Sequence, residues 1–244
     1  SVAINFGSDE PAGAGSEVTG AAGILGTSNW NNLPLLNGDA SALIADVGGS
    51  SMDTTVAVSW TSNNTWASTG RSEENNTGSG DNKNLLTGYL DTNGSDPNNV
   101  TVSGLPADAV YDVIVYTKGG VIGRGGDYKV SCNVQYHQDD AAFSGEFVEG
   151  AGGDYLVFEN VTGSTLRVEG TPVVTRAPIN GIEIVETLGV TVSSTAPPVP
   201  ANLAATETGA LRAIIGWDAS EGATKYEVWQ DGAVVAQVSN TWYE

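Results

Sequence analysis

The segment Tyr111–Tyr116 reads YDVIVY, and its reading decides the fold class. Tyr111, Val113 and Val115 occupy one parity, while Ile114 and Tyr116 occupy the other. A strand that is apolar on both parities is covered on both faces, so this segment predicts a central strand of a layered β structure. Working outward, short apolar runs alternate with Gly, Asn, Asp and Pro clusters at intervals of roughly 8 to 15 residues, the spacing of a sandwich or barrel. Strands are predicted over Val2–Phe6, Thr54–Trp60, Leu85–Leu90, Val100–Ser103, Tyr111–Thr117, Tyr128–Val134, Phe143–Phe147, Tyr155–Phe158, Thr165–Glu169 and Gly181–Val185. No segment carries a long, clean helical period.

Between these runs the turns have their own chemistry. Asn37-Gly38 and Asn93-Gly94 supply tight-turn positions. Gly119-Gly120 and Gly123-Arg124-Gly125-Gly126 bracket a loop that reads as mobile, and Asn180-Gly181 opens the closing strand. The stretch Ser62–Lys83 is nearly all Ser, Asn, Thr, Gly and Glu, with Trp66 and Arg71 inside it. A loop of that length is functional or disordered.

Charge is the strongest bulk signal. Nine Lys and Arg face 29 Asp and Glu in 244 residues, a formal net charge of −20. Such a field repels nucleic acid and anionic membrane surfaces, so neither is expected as a partner. No apolar run has membrane-spanning length. One cysteine, Cys132, forms no intramolecular disulfide, so the core must hold the fold. Glycine is abundant at 32 residues, and charged residues are 16%. Together these features read as a turn-rich β protein of the bacterial exterior, secreted or on the cell surface, with Ser1 as a mature or trimmed start.

Residues 1–187 resemble malectin-like or galactose-binding-like jelly rolls of secreted bacterial polysaccharide-associated proteins. The resemblance rests on INFGSDEPAG (4–13), on Trp30-Asn31-Asn32-Leu33, on LLTGYLDTNG (85–94), VTVSGLP (100–106) and YDVIVYTKGG (111–120), and on RAPINGIEIVE (176–186). After VTVSSTAPPVP (190–200), residues 200–244 resemble the start of a fibronectin type III domain. Leu203, Trp217-Asp218, Tyr226-Glu227-Val228 and a hairpin turn at Asp231-Gly232 carry that match. The expected organisation is therefore all-β: a jelly-roll sandwich over 1–187, a Pro/Ser/Thr linker over 188–199 and a partial fibronectin-type sandwich over 200–244. A complete domain of that type needs about 100 residues. The short one predicts either a piece of a longer chain or a fold finished by a strand from another copy.

Catalysis finds little support. His137 is the single histidine and reads as a turn or edge residue; Cys132 falls in a predicted strand with no activating signature. Gly123-x-Gly125-Gly126 lacks the following helix of a phosphate-binding loop. His/Cys metal spacing is absent, which argues against zinc, copper and iron. Hard oxygen ligands are plentiful, however, and the jelly-roll resemblance implies one structural Ca²⁺ held by Asp9 or Glu10 with Asp139 or Asp140.

Sugar-binding surfaces use exposed aromatic rings with polar groups beside them. Trp60 shares parity with Val56 and Val58 and is predicted core, as are Trp217 and Tyr226. Trp66 in SNNTWASTGR and Trp30 in NWNNL are the candidate ligand-facing rings. Arg71 and Arg124 are candidates for bidentate recognition of carboxylate or sulfate, and Tyr89 and Asn180 complete the set. The expected function is a non-catalytic carbohydrate-binding module aimed at a polysaccharide, with a fibronectin-like spacer. The alternative is a subunit of an extracellular filament or surface layer, self-associating through the incomplete second sandwich.

Overall fold

The computed structural model describes residues 1–10, 15–187, 200–208, 213–221, 223, 225–230 and 233–243. The chain divides into two compact units, Ser1–Gly189 and Val190–Glu244. The expected linker at 188–199 and the expected turn at Asp231-Gly232 lie outside the described residues.

The first unit is an all-β sandwich. Its strands in chain order are β1 (Val2–Asn5), β2 (Trp30–Asn32), β3 (Asn37–Ala40), β4 (Ile44–Val47), β5 (Ser50–Asp53), β6 (Ala57–Thr61) and β7 (Asn64–Ala67). A short helix, α1 (Gly80–Thr87), then precedes β8 (Gly88–Asp91), β9 (Asn98–Ser103), β10 (Val110–Tyr116), β11 (Gly125–Val130), β12 (Asn133–Gln138), β13 (Tyr155–Thr162), β14 (Thr165–Val174) and β15 (Gly181–Thr187). One sheet runs β13-β10-β15-β1-β4-β5, with β2 added parallel to β1; the other runs β12-β11-β14-β9-β6-β3. A separate hairpin, β7-β8, stands beside them.

Strand β10 lies between β13 and β15, and both of its parities are buried. Val113 and Val115 join Ile4, Ile182 and Ile184 in the core between the sheets, which Val58, Trp60, Val100, Tyr128, Leu166 and Val168 meet from the other side. Ile114 and Tyr116 face the opposite way, into a second cluster with Trp30, Leu85, Leu86, Phe143 and Tyr155. The outer face of this sheet is thus covered by loops and α1 rather than by water, which explains the apolar character of both parities.

Several local expectations are corrected. Leu85–Leu90 is not one strand. The adjacent Leu85 and Leu86 lie in the last turn of α1 and bury together in the second cluster, and pairing begins only at Gly88. Phe143–Phe147 is irregular: the two rings meet each other at 5.2 Å and cover Tyr116. Tyr128–Val134 is broken by a turn at Ser131, whose φ is +54°, so Cys132 is exposed in a turn. Asn37-Gly38 is strand, not turn. His137 sits on the edge strand β12 but is fully buried. Its Nε2 meets the Gly153 carbonyl at 2.9 Å, and its ring stands edge-on to Tyr128. Burial holds its pKa down.

In the second unit, β16 (Ala204–Thr208), β17 (Ala213–Gly216) and β20 (Trp242–Tyr243) form one sheet, while β18 (Tyr226–Gln230) pairs with β19 (Ala233–Val238). Trp217 stands edge-on to Tyr226 at 5.5 Å. The two rings line an apolar groove of about 490 Å³ with Leu203, Ile215, Val228 and Trp229.

Candidate functional site

The polar stretch Ser62–Lys83 is anchored rather than loose. Its residues 64–67 form β7, and its cross-strand partners place Trp66 opposite Tyr89. Thr65 and Ala67 point inward and are buried, which leaves the Trp66 ring half-buried on the other face. Two groups hold that ring. The indole N–H donates to Glu73 Oε2 at 3.0 Å. The Arg71 guanidinium lies over the ring face, 3.9 Å from its centroid. Arg71 is itself paired with Glu10 at 3.2 Å, while the other oxygen of Glu10 accepts the Ala67 N–H at 2.7 Å. A cation held on an indole face and by a carboxylate at once fixes the ring's orientation.

Tyr89 is fully buried, but its hydroxyl reaches the same place. It accepts from Arg124 Nη1 at 2.7 Å and from the Gly120 N–H at 3.2 Å. Burial pushes its phenol far above the usual range, so it stays neutral, and Arg124 opposes that rise only in part. Among the described residues Arg124 has no carboxylate within ion-pairing distance. Gly119 and Gly120 explain how the loop gets this close. A Cβ on Gly119 would lie 2.9 Å from the Arg124 side chain, and one on Gly120 would strike the Glu73 carboxylate. Beyond them Val121 and Ile122 are exposed. Deeper in, Arg176 pairs with the buried Asp91 and donates to the Thr92 carbonyl at 2.7 Å. Desolvation raises the Asp91 pKa, with Arg176 and then Arg124 opposing.

Trp66, Arg71, Tyr89 and Arg124 therefore gather in one contact network through Glu73 and Gly120. Trp30 and Asn180 do not join it. Trp30 is buried in the second cluster, donating its indole N–H to the Thr27 carbonyl at 2.7 Å and packing near Tyr116. Asn180 is fully buried, with its amide donating to the carbonyls of Leu86 and Gly88; it ties β15 to α1 and β8. Glu73 had no signal in the sequence, because one acid among 29 is silent until its neighbours are known.

The four acids expected at a calcium site are not brought into one ligand set. Asp9 accepts from Thr65, and Glu10 holds Arg71 and Ala67. Asp140 is exposed, whereas Asp139 is buried against the Lys118 ammonium, which occupies the place a cation would take. Among the described residues no group of three or more His, Cys, Asp and Glu is placed to hold a metal ion.

No protein-family model, no curated protein and no solved structure matches the chain.

Proposed function

We propose that the chain is a non-catalytic, extracellular carbohydrate-binding module, and that the Trp66 network is its glycan-facing surface. One observation carries this reading. A half-buried indole, two guanidinium groups and two carboxylates, from segments far apart in sequence, converge in one contact network with the ring already fixed in place. Pyranose recognition needs a flat apolar ring beside fixed donors and acceptors, and a ring that is pre-set loses little entropy on binding. Val121 and Ile122, next along the chain from Gly120, are exposed apolar residues. The jelly-roll and fibronectin resemblances, and the acidic, Gly-rich composition, support an exported module that adds effective concentration rather than chemistry.

The test is a glycan array with the intact chain, followed by titration of the best ligand against Trp66→Ala. Loss of a stacked ring is expected to cost about 1–3 kcal/mol of binding. Retention of no glycan, or a Trp66→Ala variant that binds as well as the parent, would sink the reading.

A second reading, self-assembly through strand complementation, draws on the apolar groove of the second unit, where Leu203 and Trp229 are 66% and 60% exposed. It requires large particles in light scattering, whereas the binding module is a monomer.

A further inference from the structure

Lys118 is 1% exposed, and its ammonium is shared between two buried carboxylates, Asp139 Oδ1 at 2.6 Å and Asp154 Oδ1 at 3.1 Å. It also donates to the Ala141 carbonyl. We propose that Lys118 and Asp139 condense spontaneously to an isopeptide bond, with Asp154 as the proton-transfer group, making this triad an autocatalytic covalent cross-link between the two sheets.

The backbone sets the three residues where the reaction needs them. Lys118 lies two residues beyond β10 in one sheet, and Asp139 directly follows β12 at the edge of the other. Asp154 directly precedes β13, whose Tyr155 pairs with Tyr116 of β10. Each corner is pinned: Thr117 N–H donates to the Asp154 carbonyl at 2.9 Å, Gly123 N–H to the Asp139 carbonyl at 2.7 Å, and Asp139 N–H to the Arg124 carbonyl at 2.9 Å. Held so, amine and carboxyl meet at hydrogen-bond distance without a search, which is worth many orders of magnitude in effective concentration.

The two carboxyls are not equivalent, and this assigns their roles. Asp154 Oδ2 accepts the Val148 N–H at 2.9 Å while its Oδ1 meets the ammonium, so both of its oxygens are engaged. Asp139 Oδ2 is buried with no hydrogen-bond partner among the described residues. One ammonium neutralises only one carboxylate, and a second buried negative charge is costly, so the other carboxyl takes a proton. Burial pushes Asp139 up to about 6, which makes it that group. A neutral carboxylic acid is also the electrophile an amine can attack.

The steps balance. Asp154 carboxylate takes one proton from the Lys118 ammonium. The freed amine pair attacks Asp139 Cγ and forms the C–N bond. Asp154 relays a further nitrogen proton to the departing hydroxyl, the C–O bond breaks, and water leaves. The nitrogen's remaining excess proton stays on Asp154, so the ammonium, the carboxylate and the acid become a neutral amide, a neutral Asp154 and one water. No oxidant or cofactor is needed. The link sits at the foot of the 119–124 loop and would hold its Gly120 and Arg124 in register with Tyr89.

Intact mass under denaturing conditions tests this on the chain as purified. The expected mass is lower than that of the sequence by one water, with a digest yielding one joined species that connects the peptides of Lys118 and Asp139. A full-length mass in the folded protein overturns the proposal, and so does a lost water that maps to any other residue. Lys118→Arg keeps the charge and is expected at full mass. Asp154→Asn keeps an acceptor for Val148 and is expected to fold, by circular dichroism, yet remain largely unlinked. Linkage in Asp154→Asn as complete as in the parent would overturn the assigned role of Asp154.

Discussion

Glu183 is a carboxyl without solvent contact. Tyr116 donates to its Oε2 at 2.5 Å and Thr27 donates to its Oε1. Desolvation raises its pKa above 4.5 despite those two donors. The consequence for stability has a definite sign. Below 4.5 the group is neutral in both folded and unfolded chains. As pH rises through the interval up to the folded value, the unfolded chain releases the proton first, so ionisation favours unfolding. The stability that the raised value contributes is thus present at low pH and lost as pH increases. Glu183→Gln cannot titrate and keeps an acceptor oxygen for only one of the two donors, a loss that offsets its stability by an amount independent of pH. The melting temperature of the parent relative to Glu183→Gln is therefore expected to fall as the pH rises above about 4.5. The general acidity of the chain affects both proteins alike and cancels in the difference. A constant difference across the series would mean that Glu183 titrates as in an open chain.

At the scale of elements, Gly38 and Trp60 show how a strand pair can hide its logic from sequence. They are direct cross-strand partners in β3 and β6. The Trp60 ring covers Gly38 so closely that a Cβ there would lie 2.9 Å from two ring carbons. The indole N–H donates to the Leu35 carbonyl at 2.8 Å, and Phe6 packs on the ring at 6.1 Å, so the ring is not free to move aside. Gly38→Ala is expected to cost about 1–3 kcal/mol by overpacking, read as a lower urea midpoint at unchanged slope. No loss would mean that the ring slides without cost. Asn-Gly is the strongest short signal for a hairpin, and here its glycine serves as a platform for an indole instead. The same limit explains α1: Leu85-Leu86 is an apolar pair with no period, and only the neighbouring cluster selects helix over strand. Where periodicity is long enough to speak, it was legible. The two parities of β10, the inward face of β6 and the start of β15 at Gly181 all follow from residue order. Trp66 and Arg71 stood out because a large ring in a polar run needs something to cover it. Glu73, Gly120 and the Lys118 triad did not, since their meaning lies in contacts across the fold.

Among the described residues, the large apolar clusters of the molecule lie in the first unit. Both apolar clusters draw every member from positions 2 to 185, and the Trp66 network and the Lys118 triad lie within the same span. β15, the last strand of that unit, pairs with β1 and β10 in the middle of a sheet, so the unit closes on itself by Thr187. Its Thr187 hydroxyl still donates to the Val110 carbonyl at 3.0 Å. A chain ending at Thr187 is therefore expected to fold cooperatively. Its main calorimetric transition should lie within about 2 °C of the one seen in the longer protein, because the apolar clusters of the sandwich are kept whole. The mass deficit of one water and any glycan affinity should persist in it unchanged. The second unit, with its open apolar groove, should account for a separate and weaker transition that disappears on truncation. Loss of the main transition in the shortened chain would mean that residues beyond Thr187 carry part of the sandwich, and that the two compact units are not energetically independent.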